Sequence, residues 1–167
     1  MVDMWNLGNK RFGRSYSLAA STGEVSKYKA TSFILENLTI KSNQHAIIMQ
    51  GKNNIIRNCR IIGGNGTVNL YGPNLLLEKN TIILNSTEAQ GPSDEQPIAI
   101  YLEDAAESIV RNNKIIVNGL PVINLAAIVL TNSPDVLVEK NTITGTRNLY
   151  RMRDDRSSAR LIGNDAN

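Results

Sequence analysis

Few side chains in this 167-residue chain can do chemistry. It has one His, His45, and one Cys, Cys59, too few for a His/Cys zinc site. A single thiol closes no internal disulfide, and with no base near it in sequence Cys59 reads as a buried, inert group. The Asp residues at 3, 94, 104, 135, 154, 155 and 165 form no Asp-x-Asp pattern that would gather a metal, so no metal and no cofactor is expected. What remains for acid–base work is Glu103-Asp104, the one acidic pair placed at a strand end in the repeat region described below. Adjacent strand residues face opposite sides. The two converge only if Asp104 begins a corner, where the other repeats carry Gly51, Gly72 and Asn132. A partner carboxylate for Glu103 has to come from the segment 84–97, as Glu88, Asp94 or Glu95.

Charge narrows the choice further. Lys and Arg number 18 against 15 Asp and Glu, a net of +3, and they are scattered. No basic block suggests nucleic acid or an anionic membrane. No apolar run reaches the length of a membrane span, and Met1 to Arg14 lacks the apolar stretch of a secretory signal. Arg151 to Arg160 holds four Arg with two Asp interleaved. It reads as a solvated loop, a subunit contact or a tail, and the acids argue against phosphate.

The elements that must position these residues come from an internal repeat. The chain holds 21 Asn and 19 Ile, about a quarter of its residues. Five segments align without gaps: Ile34 to Ile40, Ile55 to Ile61, Leu76 to Ile82, Ile109 to Ile115 and Leu137 to Ile143. A degraded sixth starts at Leu161, and a weaker copy opens the chain at Leu7 to Phe12. A second motif precedes the later copies: Ala46 to Met49, Thr67 to Leu70, Ala99 to Leu102 and Ala127 to Leu130. Its second and fourth positions are always apolar, the period-two mark of a half-buried strand. No apolar stripe with a 3.6-residue period exists, so helical repeats are excluded. A coil of strands, each turn stacked on the last at about 4.8 Å, predicts five to seven turns and a rod about 25–30 Å long.

Columns of this alignment carry their own physics. Asn at corners suits a left-handed backbone, and Asn80, Asn113 and Asn141 stack into an amide ladder that Leu38 and Cys59 interrupt. Glu36, Arg57, Glu78, Arg111 and Glu139 alternate in sign, so stacked outward they attract. The first two columns are both aliphatic, and alternation alone does not say which points inward.

These repeats, with Ile55-Ile56-Arg57-Asn58-Cys59-Arg60-Ile61 and Val138-Glu139-Lys140-Asn141-Thr142-Ile143 as the clearest, resemble those of right-handed parallel β-helix proteins of the pectin-lyase-like superfamily. The resemblance covers roughly 31–145. It implies an all-β parallel β-helix solenoid, with 1–30 as a cap or first irregular turn and 146–167 as an irregular final turn or tail. It also implies an extracellular surface or virion setting. Polysaccharide lyases, glycoside hydrolases, epimerases, tailspikes and adhesins share the fold, which does not choose among them. The Asp-Pro-His tripeptide of epimerase-like members is missing.

With the second motif as a ruler, outward residues are Ile48 and Gln50, Asn69 and Tyr71, Tyr101 and Glu103, Val129 and Thr131. Gln50, Asn69, Tyr71, Tyr101 and Thr131 then offer rings and hydrogen-bonding groups suited to sugars. Insertions at 84–97 and 117–124 flank that strip. Three functions stay open: a polysaccharide-binding domain of a tailspike-like or surface protein, a structural module that assembles as a homo-oligomer such as a trimer, and a polysaccharide lyase or hydrolase using Glu103 and Asp104.

Overall fold

The structure is a computed structural model and describes residues 31–43, 45–64, 66–85, 97–119 and 126–167. Its strands in chain order are β1 (Ile34–Glu36), β2 (Thr39–Lys41), β3 (His45–Gln50), β4 (Ile55–Arg57), β5 (Arg60–Gly63), β6 (Gly66–Tyr71), β7 (Leu76–Glu78), β8 (Thr81–Asn85), β9 (Ile98–Glu103), β10 (Ile109–Arg111), β11 (Lys114–Asn118), β12 (Ala126–Thr131), β13 (Val136–Glu139), β14 (Thr142–Thr144), β15 (Asn148–Met152), β16 (Ala159–Ile162) and β17 (Asp165–Ala166). Every third strand pairs in parallel, giving three sheets: β1-β4-β7-β10-β13-β16, β2-β5-β8-β11-β14-β17 and β3-β6-β9-β12-β15. This is the parallel solenoid expected from the repeat, with five full turns and part of a sixth among the described residues. The proposed cap at 1–30, with its copy at Leu7 to Phe12, lies outside the described residues.

Corners are built by residues that accept positive φ. Between the first and second strand of each turn stand Asn37, Asn58, Lys79, Asn112, Lys140 and Gly163, with φ from 51° to 58°. Asn and Gly adopt this region readily, and here two Lys do as well. The next column points inward. Asn113 Oδ1 accepts from both the backbone N and Nδ2 of Asn80 at 3.0 Å, and Asn141 Oδ1 does the same for Asn113. Each Nδ2 also donates to a carbonyl of the preceding turn, as Asn80 does to Ile56 at 3.0 Å. The ladder continues to Asn164, one rung beyond the three expected. Cys59 ends it at the other side, where its backbone N donates to Asn80 Oδ1 and its thiol faces the Leu35 and Arg57 carbonyls.

The second aliphatic column is the inward one. Leu35, Ile56, Leu77, Val110 and Val138 are buried, as is the whole column Ile40, Ile61, Ile82, Ile115 and Ile143. Each such Ile contributes about 1.5–3 kcal/mol by burial. The first column, Ile34, Ile55, Leu76, Ile109 and Leu137, lies on the outer face, partly exposed, with Ile34 at 49%. Beside it the charged column resolves into pairs: Arg57 Nε to Glu36 Oε2 at 2.6 Å and Arg111 Nη2 to Glu78 Oε2 at 2.8 Å, while Glu139 meets Lys140 at 3.3 Å.

The segment 146–167 holds β15, β16 and β17, which pair with β12, β13 and β14. One expectation is corrected: the sixth copy is shifted by one residue, because Leu161 pairs with Val138 rather than Leu137. That register sets Asn164 in the ladder, where its amide satisfies buried groups. Aligning the apolar pairs instead would break those bonds.

Candidate functional site

The third strands, β3, β6, β9, β12 and β15, form the sheet that carries the expected strip. Ile47, Val68, Ile100 and Ile128 point inward, as do Met49, Leu70, Leu102 and Leu130. The column before them, Ala46, Thr67, Ala99 and Ala127, is also fully buried, and the strand pairing skips it. Two successive residues therefore turn inward there, which favours small side chains. The larger members are Thr67 and, in β15, the half-buried Leu149, and the Thr67 Oγ1 is buried without a hydrogen-bond partner.

The outward rows have the expected register. Gln50 pairs with Tyr71, Tyr71 with Glu103 and Glu103 with Thr131, while Ile48, Asn69, Tyr101, Val129 and Arg151 form the neighbouring row. Only part of this strip is open. Asn69 is 8% exposed, and its Nδ2 lies 2.8 Å from His45 Nδ1. Val129 is buried too. Asn69 therefore holds His45 rather than facing outward for a ligand. His45 Nδ1 also lies 3.1 Å from the Gly66 carbonyl, and burial holds this imidazole below its ordinary pKa.

Tyr101 is likewise engaged. Its hydroxyl donates to Glu103 Oε2 at 2.9 Å and lies 3.2 Å from Thr131 Oγ1, which can donate in return. Arg153 stands over the ring with its guanidinium carbon 5.4 Å from the centroid. Tyr71 meets Tyr101 edge to face, with centroids 6.0 Å apart and an interplanar angle of 71°. Burial pushes the Tyr101 hydroxyl above its usual pKa. Tyr101 is thus a strut within the row, not the open platform expected of it.

Next to the row lies a groove of about 450 Å³, lined by Thr31, Gln50, Gly51, Lys52, Tyr71, Gly72, Pro73, Glu103 and Asp104. Its origin is local. The residue after each third strand begins a corner, with φ of 131° at Gly51, 117° at Gly72, 53° at Asp104 and 46° at Asn132. Two successive turns lack a side chain there and the next two have one. A Cβ on Gly72 would lie 2.5 Å from the Gly51 carbonyl oxygen, so glycine is required. The glycines make a floor, Gln50 and Tyr71 one wall, Lys52 and Pro73 another, and Glu103 with Asp104 an end. Because Asp104 turns the corner, it shares the groove with Glu103 although the two are adjacent in sequence. Asp104 Oδ1 accepts from Asn132 Nδ2. The Asn132 backbone N donates to Asp154 Oδ2 at 2.6 Å, a bond that lowers the Asp154 pKa.

The structure thus brings together Gln50, Tyr71, Glu103 and Asp104 in one groove, keeps Tyr101 and Thr131 beside it as supports, and withdraws Asn69. The loop acids Glu88, Asp94 and Glu95 lie outside the described residues, as does most of each insertion. Thr31, Lys52, Pro73 and Arg153 were not anticipated. Gly51 and Gly72, one above the other, were the available sign of a gap in the corner column. Arg153 was hidden because its segment did not read as a turn of the coil. Among the described residues no group of three or more His, Cys, Asp or Glu is placed to hold a metal ion.

No curated protein and no solved structure matches the chain. A family model described as the right-handed beta helix region matches residues 15–166, which include all seventeen strands. With parallel sheets, stacked turns and an inward Asn ladder already in place, the chain belongs to the right-handed β-helix family.

Proposed function

We propose that this domain binds polysaccharide in the groove between Tyr71 and the Lys52–Pro73 wall, as part of a tailspike-like or surface protein. The observation that carries this reading is the combination in one groove of a tyrosine ring, a floor without side chains, and hydrogen-bonding groups at the end. A sugar ring needs an apolar face to lie on and fixed polar partners for its hydroxyls. The glycine floor lets it approach the backbone. Glycan-array screening followed by calorimetry tests the proposal. Tyr71→Ala is expected to weaken binding at least tenfold with the circular dichroism spectrum unchanged, and unaltered affinity would remove this site. The same titrations, followed for release of reducing ends, address depolymerase activity, which Glu103→Gln is expected to abolish if it is present.

A second reading, an assembly module, is favoured by the aliphatic column Ile34, Ile55, Leu76, Ile109 and Leu137 on the outer face of the first sheet. It expects a defined homo-oligomer, such as a trimer, in light scattering. A monodisperse monomer would count against it.

A further inference from the structure

We infer that the groove selects an uncharged sugar and rejects uronates, through a pair of carboxylates oriented in advance by Tyr101 and Asn132. The inference rests on the polysaccharide-binding reading. Glu103 and Asp104 close one end of the groove, and each has one oxygen already engaged. Glu103 Oε2 accepts from the Tyr101 hydroxyl at 2.9 Å, and Asp104 Oδ1 accepts from Asn132 Nδ2. The second side-chain oxygen of each accepts from no described residue.

Neither support is loose. Tyr101 is held by Thr131 at its hydroxyl, by Arg153 on its face and by Tyr71 at its edge. Asn132 is held through its backbone by Asp154. The free oxygens, Glu103 Oε1 and Asp104 Oδ2, are therefore fixed acceptors rather than mobile ones.

An ionised carboxylate accepts hydrogen bonds and donates none. A ligand at this end must bring donors, and the hydroxyls of an uncharged sugar do so. A uronate carboxylate brings only acceptors and a like charge, which is unfavourable beside two carboxylates. Lys52 is the one cation among the groove's lining residues, and Arg153, outside that lining, has its guanidinium engaged over the face of the Tyr101 ring. Tyr101 and Asn132 act through the carboxylates and are positioning residues.

The test is calorimetric titration of the full chain with cellohexaose, maltohexaose and mannohexaose as neutral probes and hexagalacturonate as the charged one. At least one neutral probe is expected to bind at least tenfold tighter than hexagalacturonate, and Glu103→Gln is expected to narrow that ratio below threefold. Tyr101→Phe is expected to weaken the neutral ligand about fivefold in the wild-type background and less than twofold in Glu103→Gln, with the melting temperature unchanged. Should Tyr101→Phe fail to fold, Asn132→Gly, which suits the positive φ, replaces it in a cycle with Asp104→Asn and carries the same expectation. Equal or tighter binding of hexagalacturonate overturns the selectivity while leaving the binding site standing. Additive losses in both backgrounds overturn the positioning role. Failure of every probe to bind sinks the binding-site reading and the inference with it.

Discussion

Single residues show where the chain has no latitude and where it has slack. Gly72 has φ of 117°, and a Cβ there would strike the Gly51 carbonyl oxygen. Gly72→Ala is expected to destabilise by about 2–3 kcal/mol in urea unfolding, from strain and backbone displacement together. Thr67 is the opposite case. Its hydroxyl is buried and unpaired in a column whose members in β3, β9 and β12 are Ala. Thr67→Val keeps the shape and removes the unsatisfied group, so a gain of about 1 kcal/mol is expected by the same measurement. His45 sets a pH dependence. Burial lowers its pKa in the folded state below the ordinary 6.5, so the unfolded chain binds the proton more tightly. Stability from this residue is present above about pH 6.5 and is lost as pH falls through the lowered folded value. The urea midpoint of the wild type is expected to drop between pH 7 and 5 more than that of His45→Gln. Parallel curves would assign the dependence elsewhere.

Elements show which parts of the pattern were legible and which were not. The strands and their register followed from Ile and Asn spacing, because each turn repeats the same corner and the same inward column. The inward choice between two aliphatic columns was not legible, since an apolar row on an outer face looks the same as a core row. Leu161-Ile162 misled the last register for that reason, whereas Asn164 marked it correctly through the ladder. The groove was half legible. Gln50, Tyr71 and Glu103 share a row by alternation alone, but the engagement of Tyr101 depends on Arg153, two turns away in the coil and 52 positions away in the sequence. The ladder yields an element-scale prediction. Asn113 satisfies the Asn80 backbone N, the Asn80 amide and the Leu77 carbonyl, all buried. Asn113→Ala orphans them together, and a loss of about 3–5 kcal/mol is expected in denaturant unfolding. Cys59→Asn tests the same rule in reverse. The Cys59 thiol already points at the Leu35 carbonyl as the Asn80 amide does at Ile56. A new amide there is expected to extend the ladder and leave stability equal or higher.

At the scale of the molecule, among the described residues each strand pairs only with its counterparts in the turns before and after it, because each sheet runs in repeat order. A contact such as Arg153 over Tyr101, which reaches two turns, is a side-chain addition to that pairing. Stability in such a coil is a sum of turn and interface contributions, so it is not uniform along the axis. The turn of β7, β8 and β9 has neighbours on both sides, and Leu77, Ile82, Leu84, Ile100 and Leu102 within it are fully buried. Among the described residues the last strands, β16 and β17, pair on one side only, and Leu161 and Ile162 there are 40% and 39% exposed. Amide hydrogen exchange followed by mass spectrometry is therefore expected to show a gradient: slowest for peptides covering β7 to β9, fastest for those covering β16 and β17. The ladder sharpens the expectation. Asn164 donates to Val138 and accepts from Asn141, all at the last interface, so Asn164→Ala is expected to speed exchange only in the final two turns. Asn113 bonds to both neighbouring turns, so its loss is expected to spread protection loss from β7 through β14. Uniform exchange along the chain, or equal reach for the two substitutions, would mean that the turns unfold as one cooperative block and that nearest-neighbour coupling is too strong for the ends to open alone.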